Sequence, residues 1–280
     1  MEVLVSKLTK GHVKVVLTGD GGDEVFGGYN KYYIGKMNNY YTKLVPQKMH
    51  KAIHSIFNKT FTLKDDNRGR LYKTKRLLDA IDFNDDFYYN IISLGFPKNE
   101  LSELLNSEYL FIDSLEYYKK CYASNNTIHD FRNIDKNISL EGDMLVKVDR
   151  TSMLNSIECR SPFLNKELWG FVNNLPDKFL INGWNKKYLL KEAFKKFFPK
   201  GFLDKPKQGF GVPVGDWMRN ILKDELLSYS ESIFLKEQKI FNIKHIQEMV
   251  LNHINGKSDN TFRLWTFFCF QKWYIKKYIN

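Results

Sequence analysis

Residues 13–29 read VKVVLTGDGGDEVFGGY. Val13, Val15, Val16 and Leu17 form a short apolar run of the kind that suits a strand covered on both faces in a parallel sheet. The run opens into a loop with glycines at 19, 21, 22, 27 and 28 and carboxylates at Asp20, Asp23 and Glu24. Glycine permits positive φ and lets another group approach the backbone closely. Ligands of open α/β sheets sit at the carboxyl ends of strands, where this loop lies. Carboxylates are poor phosphate cradles by themselves, so an acidic loop there suits a hard cation such as Mg²⁺ bridging to a polyphosphate, or a proton-transfer group. The common nucleotide fingerprints fail: G-x-G-x-x-G aligned on Gly19 and Gly21 puts Glu24 where the third glycine belongs, and no Lys-Ser/Thr pair follows. On spacing alone, an acidic glycine turn without chemistry is an equal alternative.

Composition bounds the rest. The chain has 280 residues, 43% apolar and 15% aromatic, which is ample for a packed core. Its net charge of +11 could serve nucleic acid, a membrane surface or anionic substrates. The lysines are scattered in pairs such as Lys119-Lys120 and Lys276-Lys277, and no nucleic-acid module is visible, so the expectation is solvated helix faces and no nucleic-acid partner. Cys121, Cys159 and Cys269 show neither a zinc spacing nor a disulfide framework, which points to a reducing cytoplasm. Residues 1–12 lack an apolar signal core and the stretch from Leu264 to Gln271 is too short to span a bilayer, so no membrane association is expected.

After the strand the pattern is almost wholly helical. The clearest segments are Val3 to Lys10, Arg70 to Ala80, Asn84 to Ser93, Ile112 to Tyr122, Thr127 to Asn155, Lys166 to Asn174, Lys186 to Phe197, Lys244 to Asn255 and Asp259 to Lys277. A stripe of Phe262, Trp265, Phe268 and Trp273 reads as core, and His50 and His54, spaced i, i+4 without a third ligand nearby, read as surface helix residues rather than a metal site. No repeat, low-complexity tract or flexible linker appears, so residues 1–280 read as a single unit.

Four further segments turn this into a family resemblance. VVLTGDGGDEVFGGY resembles the second nucleotide-site signature of the asparagine synthetase family, glutamine-dependent amidotransferases with an ATP-pyrophosphatase domain. In the family's order follow LVKVDRTSMLNSIECRSPFLN (145–165), NKKYLLKEAF (185–194), KPKQGFGVPVGDWMR (205–219) and LWTFFCFQKWY (264–274). The resemblance covers nearly all of the chain, with residues 40–125 its least distinctive part. It implies a predominantly α-helical fragment of an α/β fold, with one or two parallel strands left from an adenine-nucleotide α-hydrolase-like sheet. It also implies the carboxyl-terminal part of the synthetase domain, since no S-G-G-x-D-S loop occurs and residue 2 is Glu rather than a catalytic Cys.

The resemblance assigns roles to residues that each keep a structural rival. Gly19, Gly21, Gly22 and Asp23 would contact pyrophosphate, with Asp23 holding Mg²⁺; its rival role is a helix N-cap. Asp20, where relatives carry Glu or Asp, would handle the ammonia proton, and Glu24 would pin the loop. Lys187 would stabilise the adenylate and leaving pyrophosphate, as a compact ammonium can. Its rivals are the adjacent Lys186 and a solvated face, and Lys191 follows one helical turn later on the same side. Lys205, Lys207 and Gln208 lie in a loop that could close over phosphates or merely connect. Glu158 and Arg160 read as a structural ion pair, with Asp149 and Arg150 near the substrate pocket. Asn165 stands where the family has Asp and can still cap a helix.

The function so implied is ATP-dependent amidation of aspartate to asparagine through an acyl-adenylate, with ammonia from glutamine. Two alternatives stand beside it: amidation of another carboxylate such as a sugar acid, and a non-catalytic remnant or a module that binds the missing glutaminase and ATP-loop half in trans.

Overall fold

The computed structural model of the chain describes residues 2–61, 70–83, 87, 95–96, 100–110, 127–205 and 212–279. Its internal contacts gather into two compact units, one from Met1–Tyr41 with Leu115–Lys207 and one from Thr42–Ser114 with Gln208–Asn280. The chain passes between them at 41/42, 114/115 and 207/208, the last within the Gly- and Pro-containing stretch 205–213.

The first unit is built on a parallel pair of strands. Helix α1 (Glu2–Thr9) leads into β1 (Val15–Leu17), which pairs in parallel with β2 (Glu158–Arg160) in the register Val15↔Glu158, Val16↔Cys159 and Leu17↔Arg160. The five-residue helix α2 (Gly22–Phe26) follows the acidic loop, and α3 (Asn30–Leu44) leads out of the unit. The long helical stretch expected over 127–155 is present as α-helix Ile128–Asp135, a π-helical run Lys136–Leu145 and α-helix Val146–Met153. It starts at a reciprocal capping box between Thr127 and Asp130, legible in the sequence as T-I-H-D. An antiparallel pair, β3 (Ile181–Asn182) and β4 (Asn185–Lys186), turns through Gly183 at φ 59°. The fold is thus the mainly helical α/β fragment that the sequence leads one to expect.

One expectation about β1 fails. The apolar run is not covered on both faces: Val15 and Leu17 are exposed while Val16 is half-buried. Among the described residues β1 has one strand neighbour, and α1 packs on the Val146–Met153 helix, where Lys147 pairs with Glu2 at 3.2 Å.

The second unit is a helical cluster. Leu226, Ile246, Val250, Leu264 and Phe267 are buried together from the helices Lys223–Tyr229, Ile243–Ile254 and Thr261–Tyr274. The aromatic stripe is corrected here. Phe268 is core, but Trp265 and Trp273 are exposed and the buried face runs through Leu264, Phe267, Phe268 and Gln271. That helix is apolar all round, so its sequence does not fix which side faces inward. His50 is also corrected: it is buried, its ring 5.7 Å from that of Phe83, and burial lowers its pKa. His54 pairs instead with Asp79 at 2.6 Å. No helix among the described residues is long and apolar enough to cross a membrane.

Candidate active site

The loop after β1 is shaped by what packs on its glycines. Strand pairing continues one residue beyond β1, with the Thr18 N–H donating to the Arg160 carbonyl at 2.8 Å. Gly21 then turns left-handed at φ 79°, and a Cβ there would lie 2.2 Å from Leu164 Cδ2. At Gly22 a Cβ would lie 3.1 Å from the Phe163 ring, which also meets Phe26 edge-on at 5.9 Å. The Ser161 hydroxyl donates to the Asp20 carbonyl. SPFL after β2 and GDGG after β1 therefore form one surface, because parallel pairing brings both segments to the same end of the sheet.

A second pair of segments meets at Gly28. A Cβ on Gly28 would lie 1.8 Å from Asp23 Oδ1 and 2.3 Å from Lys187 Cε, so only glycine leaves room for the two side chains to approach. Lys187 Nζ stands 3.1 Å from Asp23 Oδ1. Lys187 itself is left-handed, φ 53° and ψ 37°, between β4 and the helix Tyr188–Phe194. That conformation costs a non-glycine residue about 1–2 kcal/mol and turns this side chain onto the loop. The neighbouring lysines are held elsewhere. Lys186 Nζ donates to Asn30 Oδ1 at 2.5 Å, and Lys191 Nζ to Asn185 Oδ1 at 2.8 Å and Asp204 Oδ1 at 3.0 Å.

Behind the loop lies a buried polar layer. Glu24 is 2% exposed; its Oε1 accepts from the Tyr29 hydroxyl at 2.9 Å and its carbonyl from Arg132 Nε at 2.6 Å. Asp135, fully buried, accepts from Lys31 Nζ at 2.5 Å and the Tyr32 hydroxyl at 2.6 Å. Burial pushes the Glu24 carboxyl above the usual carboxylate range, raises the Tyr29 phenol and lowers the Arg132 guanidinium to about 10. Sequence reasoning found Glu24 and missed Arg132 and Asp135. The signal was present: 128, 131, 132 and 135 are the i, i+3, i+4, i+7 positions of the inward face, and two of them carry charge.

The remaining candidates divide plainly. Asp20 is half-buried in the same loop as Gly19, Gly21, Gly22 and Asp23, but among the described residues no ion pair joins it to Lys187. Asp23 is not a capping side chain; the cap of α2 is Gly21. Glu158 and Arg160 pair at 2.8 Å on the exposed side of β2, and Asn165 Oδ1 accepts from the Leu168 N–H at 3.0 Å as an N-cap. Asp149 and Arg150 are exposed on the Val146–Met153 helix. Lys205 lies 4.5 Å over the Phe202 ring, whereas Lys207 and Gln208 fall outside the described residues. An apolar cleft of about 220 Å³ between Tyr33, Met37 and Trp184 is lined by none of the loop residues.

Among the described residues no group of three His, Cys, Asp or Glu side chains could hold a metal, so a protein-only cage is absent there. Mg²⁺ asks for less: it keeps waters and binds through one or two carboxylates plus substrate phosphates. Asp23, under Gly28 and beside an ammonium that can pair with phosphate, fits that smaller demand.

A family model described as Asparagine synthase matches residues 1–275. Glutamine-hydrolyzing asparagine synthetase 1 of Bacillus subtilis (strain 168) is 28% identical over 275 residues, covering 96% of this chain and 42% of the relative. A protein of Mycobacterium tuberculosis (strain ATCC 25618 / H37Rv), whose name proposes the same enzyme, is 30% identical over 277 residues, 96% of this chain and 40% of the relative. Amidase chry2 of Gibberella zeae is 22% identical over 231 residues, 73% of this chain and 33% of its own length. No solved structure matches. The chain spans about two fifths of the length of the first two relatives.

Proposed function

Because the chain belongs to the asparagine synthase family, we propose that it supplies one wall of an ATP-dependent amidation site that converts aspartate to asparagine, with ammonia drawn from glutamine. In this reading the substrate carboxylate attacks the α-phosphorus of ATP, expelling pyrophosphate and leaving an acyl-adenylate. Ammonia then attacks the acyl carbon, AMP leaves, and a carboxylate takes the surplus proton.

Each residue carries one part of this. The Lys187 ammonium faces the charge that accumulates on the leaving pyrophosphate, where a fixed cation lowers the barrier most. The glycine loop at Gly19 and Gly21 would offer backbone N–H groups to phosphate oxygens, while the Gly22 N–H is donated to the Gly19 carbonyl at 3.3 Å and holds the turn. Asp20 accepts the ammonia proton. Asp23 would hold Mg²⁺, which when bound neutralises phosphate charge. In the absence of substrate Lys187 and Asp23 neutralise each other. The Asp23–Lys187 contact at 3.1 Å, which joins two of the family-like segments under a glycine that only they require, carries the proposal.

Pyrophosphate release from MgATP with aspartate and ammonia tests it. The chain alone is expected to release none, and release is expected once a polypeptide carrying the rest of the synthetase is added. Lys187→Ala should lower that rate by about a hundredfold or more, the usual cost of losing one group that stabilises transition-state charge. Turnover by the chain alone, or a full rate from Lys187→Ala, would overturn the reading.

A further inference from the structure

Four polar groups run in a line behind the candidate site. Asp177 Oδ1 stands 3.3 Å from His129 Nε2, which also meets the Leu175 carbonyl at 3.2 Å. His129 Nδ1 meets Arg132 Nη1 at 2.9 Å, and Arg132 Nε donates to the Glu24 carbonyl at 2.6 Å. Arginine can only donate, so Nδ1 is the acceptor and the ring hydrogen sits on Nε2, facing Leu175 and Asp177.

The ends of this line carry the site. Glu24 follows Asp23 in α2, and Asp177 opens the helix Asp177–Leu180, which runs through β3 and β4 into Lys187. These are the two segments that bring Asp23 and Lys187 to 3.1 Å. They also touch directly: a Cβ on Gly27, just after α2, would lie 3.3 Å from Leu180 Cβ and 3.4 Å from Ile181 Cγ1. Neither segment holds its own position. Helix α2 has five residues and the helix Asp177–Leu180 four, both without a side-chain cap and far shorter than a helix that is stable by itself. Their placement is imposed from outside, and the helix Ile128–Asp135 supplies both contacts from one face, at 129 and 132. A guanidinium suits the task, since its planar fork offers donors at fixed angles where an ammonium is a point charge. Arg132 is buried and its Cζ stands 5.8 Å over the Trp169 ring, which limits how that plane can turn.

We infer that Arg132 and His129 are positioning residues of the proposed site, setting the approach of Asp23 and Lys187 from behind through Glu24 and Asp177. The inference rests on the function proposed above, because the contact they set is the one given to metal and pyrophosphate there. Positioning makes a narrower demand than packing. Packing accepts any replacement of similar shape, whereas positioning needs an acceptor where His129 Nδ1 stands and a fork at Arg132.

Trace acetylation of the full chain by N-hydroxysuccinimidyl acetate, read peptide by peptide in a mass spectrometer, tests this without turnover. Asp23→Asn fixes the labelling rate of Lys187 once its partner carboxylate is gone. His129→Leu should raise the wild-type rate by about threefold or more, the contribution of a partly exposed ion pair. His129→Asn, whose Oδ1 can stand in for Nδ1, should keep the slow rate. His129 is half-buried, so both variants should melt as the wild type does. Arg132→Lys keeps the charge, loses the fork and should label like His129→Leu. Lys147, paired with Glu2 at 3.2 Å in the same unit, is the control and should label alike in all of them. An unchanged Lys187 rate in His129→Leu, no difference between His129→Leu and His129→Asn, or a rise at Lys147 equal to that at Lys187 overturns the proposal. The two readings fail separately: a completed synthetase that releases no pyrophosphate removes the function and leaves the labelling pattern, whereas an unmoved Lys187 beside normal release does the reverse.

Discussion

Gly28 is the residue at which the site is most sensitive to a single atom. A methyl group there occupies the positions now held by Asp23 Oδ1 and Lys187 Cε, so Gly28→Ala must drive the two side chains apart. In the reaction proposed above, pyrophosphate release should fall on the order of a hundredfold, the cost of misplacing a group by about an ångström. The melting temperature should change little, and that contrast is the measurement. Glu24 gives a second prediction. Its folded pKa lies above the ordinary value of 4.5, so the stability tied to its neutral form is complete below pH 4.5 and is lost as pH rises through the folded value. Glu24→Gln should flatten that decline in melting curves taken from pH 4 upward, while the wild-type protein keeps it.

At the scale of elements, local rules were legible where side chain and backbone agree. Asn165 caps the helix Lys166–Asn173 as its type and position suggest, and Asn165→Ala should cost about 1 kcal/mol in chemical denaturation, whereas Asn165→Asp should cost nothing. The helix Arg70–Ala80 ends at Ala80, where its periodicity ends. Where the pattern is degenerate, tertiary packing decides. The Thr261–Tyr274 helix offers apolar residues in every direction, so the stripe through Trp265 and Trp273 reads inward in the sequence and both tryptophans are found outward. Which of Lys186 and Lys187 approaches Asp23 was equally closed to the sequence: Lys187 does, from a left-handed backbone that no propensity foretells.

At the scale of the molecule, the family motifs marked both halves of the loop surface, GDGG and SPFL, because such segments carry the glycines and small turns that close packing requires. Arg132 and Asp135 escaped notice because their charge disguised an inward-facing position. One buried group in each unit, Glu24 and His253, has its pKa moved by burial in the opposite direction. His253, fully buried in the second unit, has its pKa lowered from 6.5 by burial, so the stability it contributes is present above pH 6.5 and is lost as pH falls through the folded value. Its trend opposes that of Glu24, and melting curves of His253→Asn should lack the acid-side decline below pH 6.5.

The contact between Ser161 and Asp20 spans 141 residues of chain. A growing polypeptide exposes its acidic loop long before β2 exists to shape it, and the entropy of closing so large a loop must be met before Phe163 and Leu164 can seat against Gly22 and Gly21. The site is therefore among the last parts of its unit to mature.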